Sequence, residues 1–249
     1  MTIEIAVIPL TVIFVACLVR STFGFGEALV GMPILTMMLG VRVAAPLIAL
    51  LSITIAVGIL VRDWRSVQWS SAWRLVVSSL VGIPIGLYLL TSVPEAAVKV
   101  VLAIVMITFS AYCLARPGRI KLHSDSAAPL FGFAAGILGG AYNTQGAPLV
   151  IYGSLRQWSA EKFRATLQSF FIPTSVVIVA GHAIGGRVTD DVVRLYALSL
   201  PLALVALLLG GWLSRRVMAQ HFVGWLYVVL IVIGLLLLGN ALVCVLLPV

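Results

Sequence analysis

Apolar residues run along this chain in eight blocks, over residues 3–40, 43–61, 71–91, 96–115, 127–156, 165–184, 190–213 and 221–247. Short polar stretches separate them. A helix that crosses a bilayer needs about 20 apolar residues. Six blocks have the length of one crossing. The first and fifth are too long for one, and glycine and proline interrupt both.

The two long blocks share a pattern. Gly24, Gly31 and Pro33 of the first align without gaps on Gly139, Gly146 and Pro148 of the second. Later blocks also correspond, with Gly86-Leu87-Tyr88 matching Gly211-Trp212-Leu213 near a helix end in each half. The pattern predicts an all-α integral membrane protein made of a duplicated four-segment unit. Residues 1–120 form the first repeat and 121–249 the second, with the join near Arg116 to Ser126, in a single membrane domain.

Loop charge bears on how the halves are related. Arg62, Asp63, Arg65 and Arg74 follow the second block, whereas Arg187, Asp190, Asp191 and Arg194 follow the sixth. Glu95 and Lys99 follow the third block, whereas Arg215 and Arg216 follow the seventh. Equivalent loops thus differ in charge, as they do when inverted repeats place them on opposite membrane faces. Inversion needs an odd number of crossings per half. Each broken block must then cross an even number of times, as a re-entrant hairpin or as two short spans. This arrangement gathers Arg62, Arg65, Arg116, Arg119, Lys121, Arg156, Lys162, Arg164, Arg215 and Arg216 on the cytoplasmic side and leaves Arg42 outside. The termini then face away from the cytoplasm.

Composition agrees. The 249 residues are 62% hydrophobic and only 10% charged, against about 25% charged in soluble domains. The net charge of +8 lies in short loops without interleaved aromatics, so it reads as topology, not as a nucleic-acid surface. Cys17, Cys113 and Cys244 sit in apolar runs without metal or redox spacing and read as small buried hydrophobes. The first ten residues carry Glu4 and no Lys or Arg, unlike a cleavable leader.

Chemistry concentrates at the breaks. Irregular backbone at membrane depth survives only where protein or water covers it, and paired breaks point to a transporter's binding site. Helix N-termini exposed there suit an anion. Gly24, Gly26, Gly139 and Gly140 are candidate backbone contacts for a substrate, or else allow close helix packing. Glu27, at membrane depth, is a candidate proton carrier, a static partner for Arg20, or a helix cap. Asn143, Thr144 and Gln145 offer neutral groups to an oxyanion, or serve as interhelical glue. Arg164 either binds an anion through its guanidinium or snorkels to the interface. His182 reads as interfacial. Gly31, Pro33, Gly146 and Pro148 mark the expected helix breaks.

The run Arg20-Ser21-Thr22-Phe23-Gly24-Phe25-Gly26-Glu27-Ala28-Leu29-Val30 resembles the first-half signature of the TauE/SafE sulfite exporters, also called toluene sulfonate uptake permeases. The run from Gly136 to Tyr152, with Gly139-Gly140-Ala141-Tyr142-Asn143-Thr144-Gln145-Gly146-Ala147-Pro148 at its centre, is similar to the second-half signature. Phe163-Arg164-Ala165-Thr166-Leu167 is similar to the stretch that follows. The resemblance spans nearly the whole chain. It implies a multi-pass inner-membrane transporter of sulfur-containing anions such as sulfite, sulfoacetate or organosulfonates. The chain departs from the common pattern at Glu27-Ala28, where many members carry glycines, and at Ala147, where many carry a second proline.

The expected function is therefore secondary transport of small anions by alternating access, with proton coupling through Glu27. An anion channel and a carboxylate carrier are the alternatives. The sequence contains no HExxH, no G-x-S-x-G elbow and no phosphate-binding loop, so neither an enzyme nor a primary pump is expected. No cofactor, metal or nucleic acid is expected. The expected partners are the bilayer and a small anion, and a homo-oligomer is compatible with the sequence.

Overall fold

The computed structural model describes residues 3–115, 121–122, 124–216 and scattered positions from 228 to 239. Most of the eighth apolar block, residues 116–120, Cys244 and the side chains of Cys113, Arg215 and Arg216 lie outside the described part. Among the described residues every regular element is helical. The order is α1 (Ile3–Phe23), α2 (Glu27–Leu39), α3 (Val41–Asp63), α4 (Trp69–Ser92), α5 (Glu95–Leu114), α6 (Ala128–Tyr142), α7 (Gly146–Leu155), α8 (Ala160–Ile184) and α9 (Asp190–Arg216). Apolar runs become helices because lipid leaves backbone polar groups no partner except one another. Four of these helices are long and apolar enough to cross a membrane: Val41–Ser66, Trp69–Ser92, Ala160–Ile184 and Asp190–Ser214.

Both long blocks are helical hairpins. In the first, Gly24 (φ 85°) and Gly26 (φ 102°) take left-handed conformations that a side chain disfavours, and they turn the chain. In the second, Asn143 takes the left-handed conformation (φ 55°), which its short polar side chain tolerates. Its N–H donates to Gly139 O at 2.9 Å, and Thr144 N–H donates to Leu138 O at 3.2 Å, which closes α6.

The return arms run back along the outgoing ones. Gly31 of α2 lies between Ala16 of α1 and Ile48 of α3, with no room for a side chain. The Phe131 and Tyr152 rings pack at 5.4 Å, tilted by 45°, between α6 and α7, and Leu122 N–H donates to Leu155 O at 2.9 Å at the open end. With 13 and 10 residues, α2 and α7 reach about 20 and 15 Å at 1.5 Å per residue. Both fall short of a hydrocarbon core of about 30 Å.

The chain therefore turns elsewhere than Gly31 and Pro33 suggested. Both lie inside α2, and the first break is at Gly24 to Gly26. Gly31 serves packing. Gly146 and Pro148 do lie at the second break, in the first turn of α7.

The halves interleave. The broad helix contacts are α4 with α6, α1 with α9, and α3 with α8. The helix after α3, α4, thus packs against the α6–α7 hairpin, and the helix after α8, α9, against the α1–α2 hairpin. Gly132, Gly136 and Gly140 on α6 meet Leu75, Ser79 and Ile83 on α4, backbone against backbone, while Gly82 and Gly86 of α4 receive α6 in return. Gly210 of α9 meets Ser21 of α1 in the same manner.

One end of the bundle gathers Arg62, Arg65, Glu161 and Ser214. The other gathers Arg42, Pro94, Arg187 and Thr189. At the first end, Asp125 ties the open end of the α6–α7 hairpin to α4. It accepts from Ser71 Oγ at 2.7 Å and Tyr152 Oη at 2.9 Å, and pairs with Arg156 at 3.1 Å. Burial works against its charge, but the two hydroxyls and Arg156 outweigh it and hold its carboxyl below the usual range.

Candidate functional site

The two hairpin tips meet. Gly146, at the start of α7, faces Phe25 in the first tip. Beside that contact lies a small cavity of about 10 Å³, lined by Gly26, Glu27, Ala28 and Leu29 of the first tip, Asn143, Thr144 and Gly146 of the second, and Arg20 and Phe171. Glu27 begins α2 and Gly146 begins α7, so two helix N-termini face one space. Neither N-terminus has a side-chain cap. First-turn N–H groups have no partner within their helix, and the helix dipole adds partial positive charge.

Arg20 stands at the wall of this cavity and is 1% exposed. Its guanidinium pairs with Glu27, donates to Ser52 Oγ at 2.7 Å and to Gln168 Oε1 at 3.0 Å, and lies 4.4 Å from the Phe171 ring centroid. Gln168 Nε2 donates to Gly24 O at 2.7 Å and so ties α8 to the first tip. From Ser52 the polar chain continues. Ser175 Oγ donates to Ser52 Oγ at 3.1 Å, and Gln145 Nε2 donates to Ser175 Oγ at 3.2 Å. The two tips are thus linked through α3 and α8, entirely inside the protein. Asn143 Nδ2 donates to Ala45 O at 2.8 Å and fixes the second tip on α3.

Among the described residues, three buried polar atoms of the cavity lining nonetheless lack a partner: Glu27 Oε2, Arg20 Nε and Asn143 Oδ1. Buried polar atoms are normally satisfied, so a cluster of exceptions at one place marks a site for something else. Among the described residues, no group of His, Cys, Asp and Glu has the arrangement of a metal site.

Of the residues singled out in the sequence, Gly26, Glu27, Asn143, Thr144 and Gly146 line the cavity. Gly24 shapes the first tip and Gln145 joins the polar chain without lining the cavity. Three expectations need correction. Gly139 and Gly140 do not face the cavity with their N–H groups; both lie within α6. Gly140 packs on Ile83 and Leu87 of α4, and Gly139 lies against Gln145. Arg164 neither snorkels nor lines the central cavity. It lies under Gly24, 8% exposed, with Nε 3.2 Å from Asp63 Oδ2, and lines a separate outer cavity of about 640 Å³ with Arg62 and Glu161. His182 is fully buried, not interfacial, with Nδ1 3.3 Å from Arg187 Nη1.

Ser52, Gln168, Phe171 and Ser175 have no motif around them and escaped the sequence reading. The usable signal was polarity: each of the three polar ones stands within an apolar block that needs no polar residue to cross a membrane.

At the opposite end, a cavity of about 800 Å³ is lined by residues that include Arg42 and Arg187. Among the described residues, none lines both the central cavity and either outer one.

A family model described as sulfite exporter TauE/SafE matches residues 10–237. No curated protein and no solved structure gives a significant match.

Proposed function

We propose, from the premise that this chain belongs to the TauE/SafE sulfite exporter family of membrane transporters, that it carries small sulfur-containing anions across the inner membrane. The substrates would be sulfite, sulfoacetate or another organosulfonate. The carrying observation is the meeting of two uncapped helix N-termini at one buried cavity beside Arg20. Backbone N–H groups of Glu27 to Leu29 and Gly146, together with Asn143 and Thr144, are suited to an oxyanion. The anion is moved unchanged, with no enzymatic step.

The proposed cycle is alternating access between inverted repeats. Three features support it. Each hairpin of two short helices precedes longer ones, α3 to α5 after the first and, among the described residues, α8 and α9 after the second. The α1–α2 hairpin returns toward the Arg42 end, whereas the α6–α7 hairpin is pinned beside Ser71 at the Arg62 end. The central cavity shares no lining residue with either outer cavity, which favours a carrier with a closed middle state over an open channel. Arg62, Arg65, Arg156 and Lys162 then face the cytoplasm.

The test is ligand-dependent thermal stability of the purified protein, followed by counterflow in proteoliposomes. Binding to the folded state raises the apparent melting temperature by mass action. The expected result is a shift with sulfite and sulfonates, lost in Asn143→Ala, and saturable counterflow of the same anion. A shift with carboxylates alone removes the sulfur substrate. Flux without saturation or counterflow removes the carrier.

A further inference from the structure

We propose that Glu27 is a built-in stand-in for the transported anion: it occupies Arg20 when the site is empty, and the substrate displaces it as Glu27 takes up a proton. This rests on the anion-carrier reading above and adds to it the residue that holds the anion and the means of coupling.

The geometry carries the idea. Arg20 and Glu27 pair directly, both over nine-tenths buried, and both line the cavity onto which α2 and α7 open. The pair is incomplete on each side, since Arg20 Nε and Glu27 Oε2 have no hydrogen-bond partner among the described residues. A pair evolved only as a structural strut would satisfy those atoms, because an unmet buried charge is costly. Arg20 is held by groups that stay when Glu27 leaves: Ser52, Gln168 and the face of Phe171. Its guanidinium is therefore a fixed platform with one exchangeable ligand, and that ligand is an anion.

Charge balance supplies the coupling. One guanidinium neutralises one buried anion. A substrate arriving beside ionised Glu27 would put two anions against one fixed cation in a dry site. Protonating Glu27 removes the excess. The exchange is then substrate anion plus one solvent proton in, with Glu27 passing from carboxylate to neutral carboxylic acid. No other bond changes. Among the described residues, the groups facing Glu27 leave no competing acceptor of ready proton affinity. From α1 come Arg20 and the Cys17 thiol, from α3 the Ser52 hydroxyl. The second tip brings only Asn143, Thr144 and Gly146, and α8 brings Phe171.

The exchange also lets the carrier return empty. With Glu27 ionised on Arg20, the unloaded site is neutral, and it is neutral again when a monovalent anion and a proton are bound.

The test is isothermal titration calorimetry of the purified wild-type protein with methanesulfonate, which stays ionised throughout, with isethionate and sulfite beside it. Runs in buffers of different ionisation heat count the protons taken up. The expected result is one proton per anion, with Kd rising tenfold for each unit of pH above neutrality. In Glu27→Gln, binding should lose that pH dependence and become tighter at neutral pH. Arg20→Gln should lose binding. Binding to wild type with no proton uptake and a flat pH profile overturns the stand-in, while the anion-carrier reading survives. No binding of any of the three anions overturns both. If Glu27→Gln does not fold, the wild-type proton count decides alone.

Discussion

At the scale of single residues, position in the sequence is a poor guide to partnership. Arg20 and Glu27 are seven residues apart, and their pairing could be anticipated. The residues that hold Arg20 in place, Ser52 and Gln168, lie 32 and 148 positions away. No spacing rule reaches that far. Arg164 shows the opposite error: a membrane-edge arginine invites the snorkelling reading, yet Asp63 and the backbone of the first tip draw it inward. Asp125 offers a direct test of a local anchor. Its folded pKa is lowered, so its contribution is full above the ordinary carboxylate value of about 4 and fades as pH falls through the lower folded value. Asp125→Asn should cost about 1–3 kcal/mol at neutral pH. The deficit relative to wild type should shrink in acid, as read by thermal unfolding in detergent at pH 7 and below 4.

At the scale of elements, the glycines of the first break act through backbone conformation, while those of α6 act through closeness. Gly24→Ala strains a left-handed turn and presses on Arg164. It should destabilise the protein by about 1–2 kcal/mol and weaken anion binding, read by thermal unfolding and titration of the same sample. Gly136→Leu would push a side chain into the α4 backbone at Ser79. The expected cost is about 3 kcal/mol or more, seen as loss of the monodisperse peak in size-exclusion chromatography. Both breaks were legible from glycine and proline. The place of the first turn was not, because Gly31 and Pro33 look as disruptive as Gly24 and Gly26. Only the packed neighbours, Ala16 and Ile48, show that Gly31 continues a helix.

At the scale of the whole molecule, the ends of the bundle predict a labelling pattern. Single cysteines at Ser66 and Ser214 should react from one face, and at Thr91 and Thr189 from the other, in oriented vesicles. Ser66 and Ser214 reacting from opposite faces would break the inverted arrangement. The apolar blocks made the membrane class legible. The interleaving was not legible, since nothing in one half records which helix of the other will cover it. That interleaving bears on how the protein is made. The first half leaves the ribosome with α1 lacking α9 and α4 lacking α6, and with Arg20 still without Gln168 and Phe171 of α8. It must wait in the bilayer, partly uncovered, until α9 has been synthesised. Nascent chains stopped between residues 120 and 190 should therefore be degraded faster than the finished protein. The two halves, made from separate messages in one cell, should protect each other by assembling after synthesis.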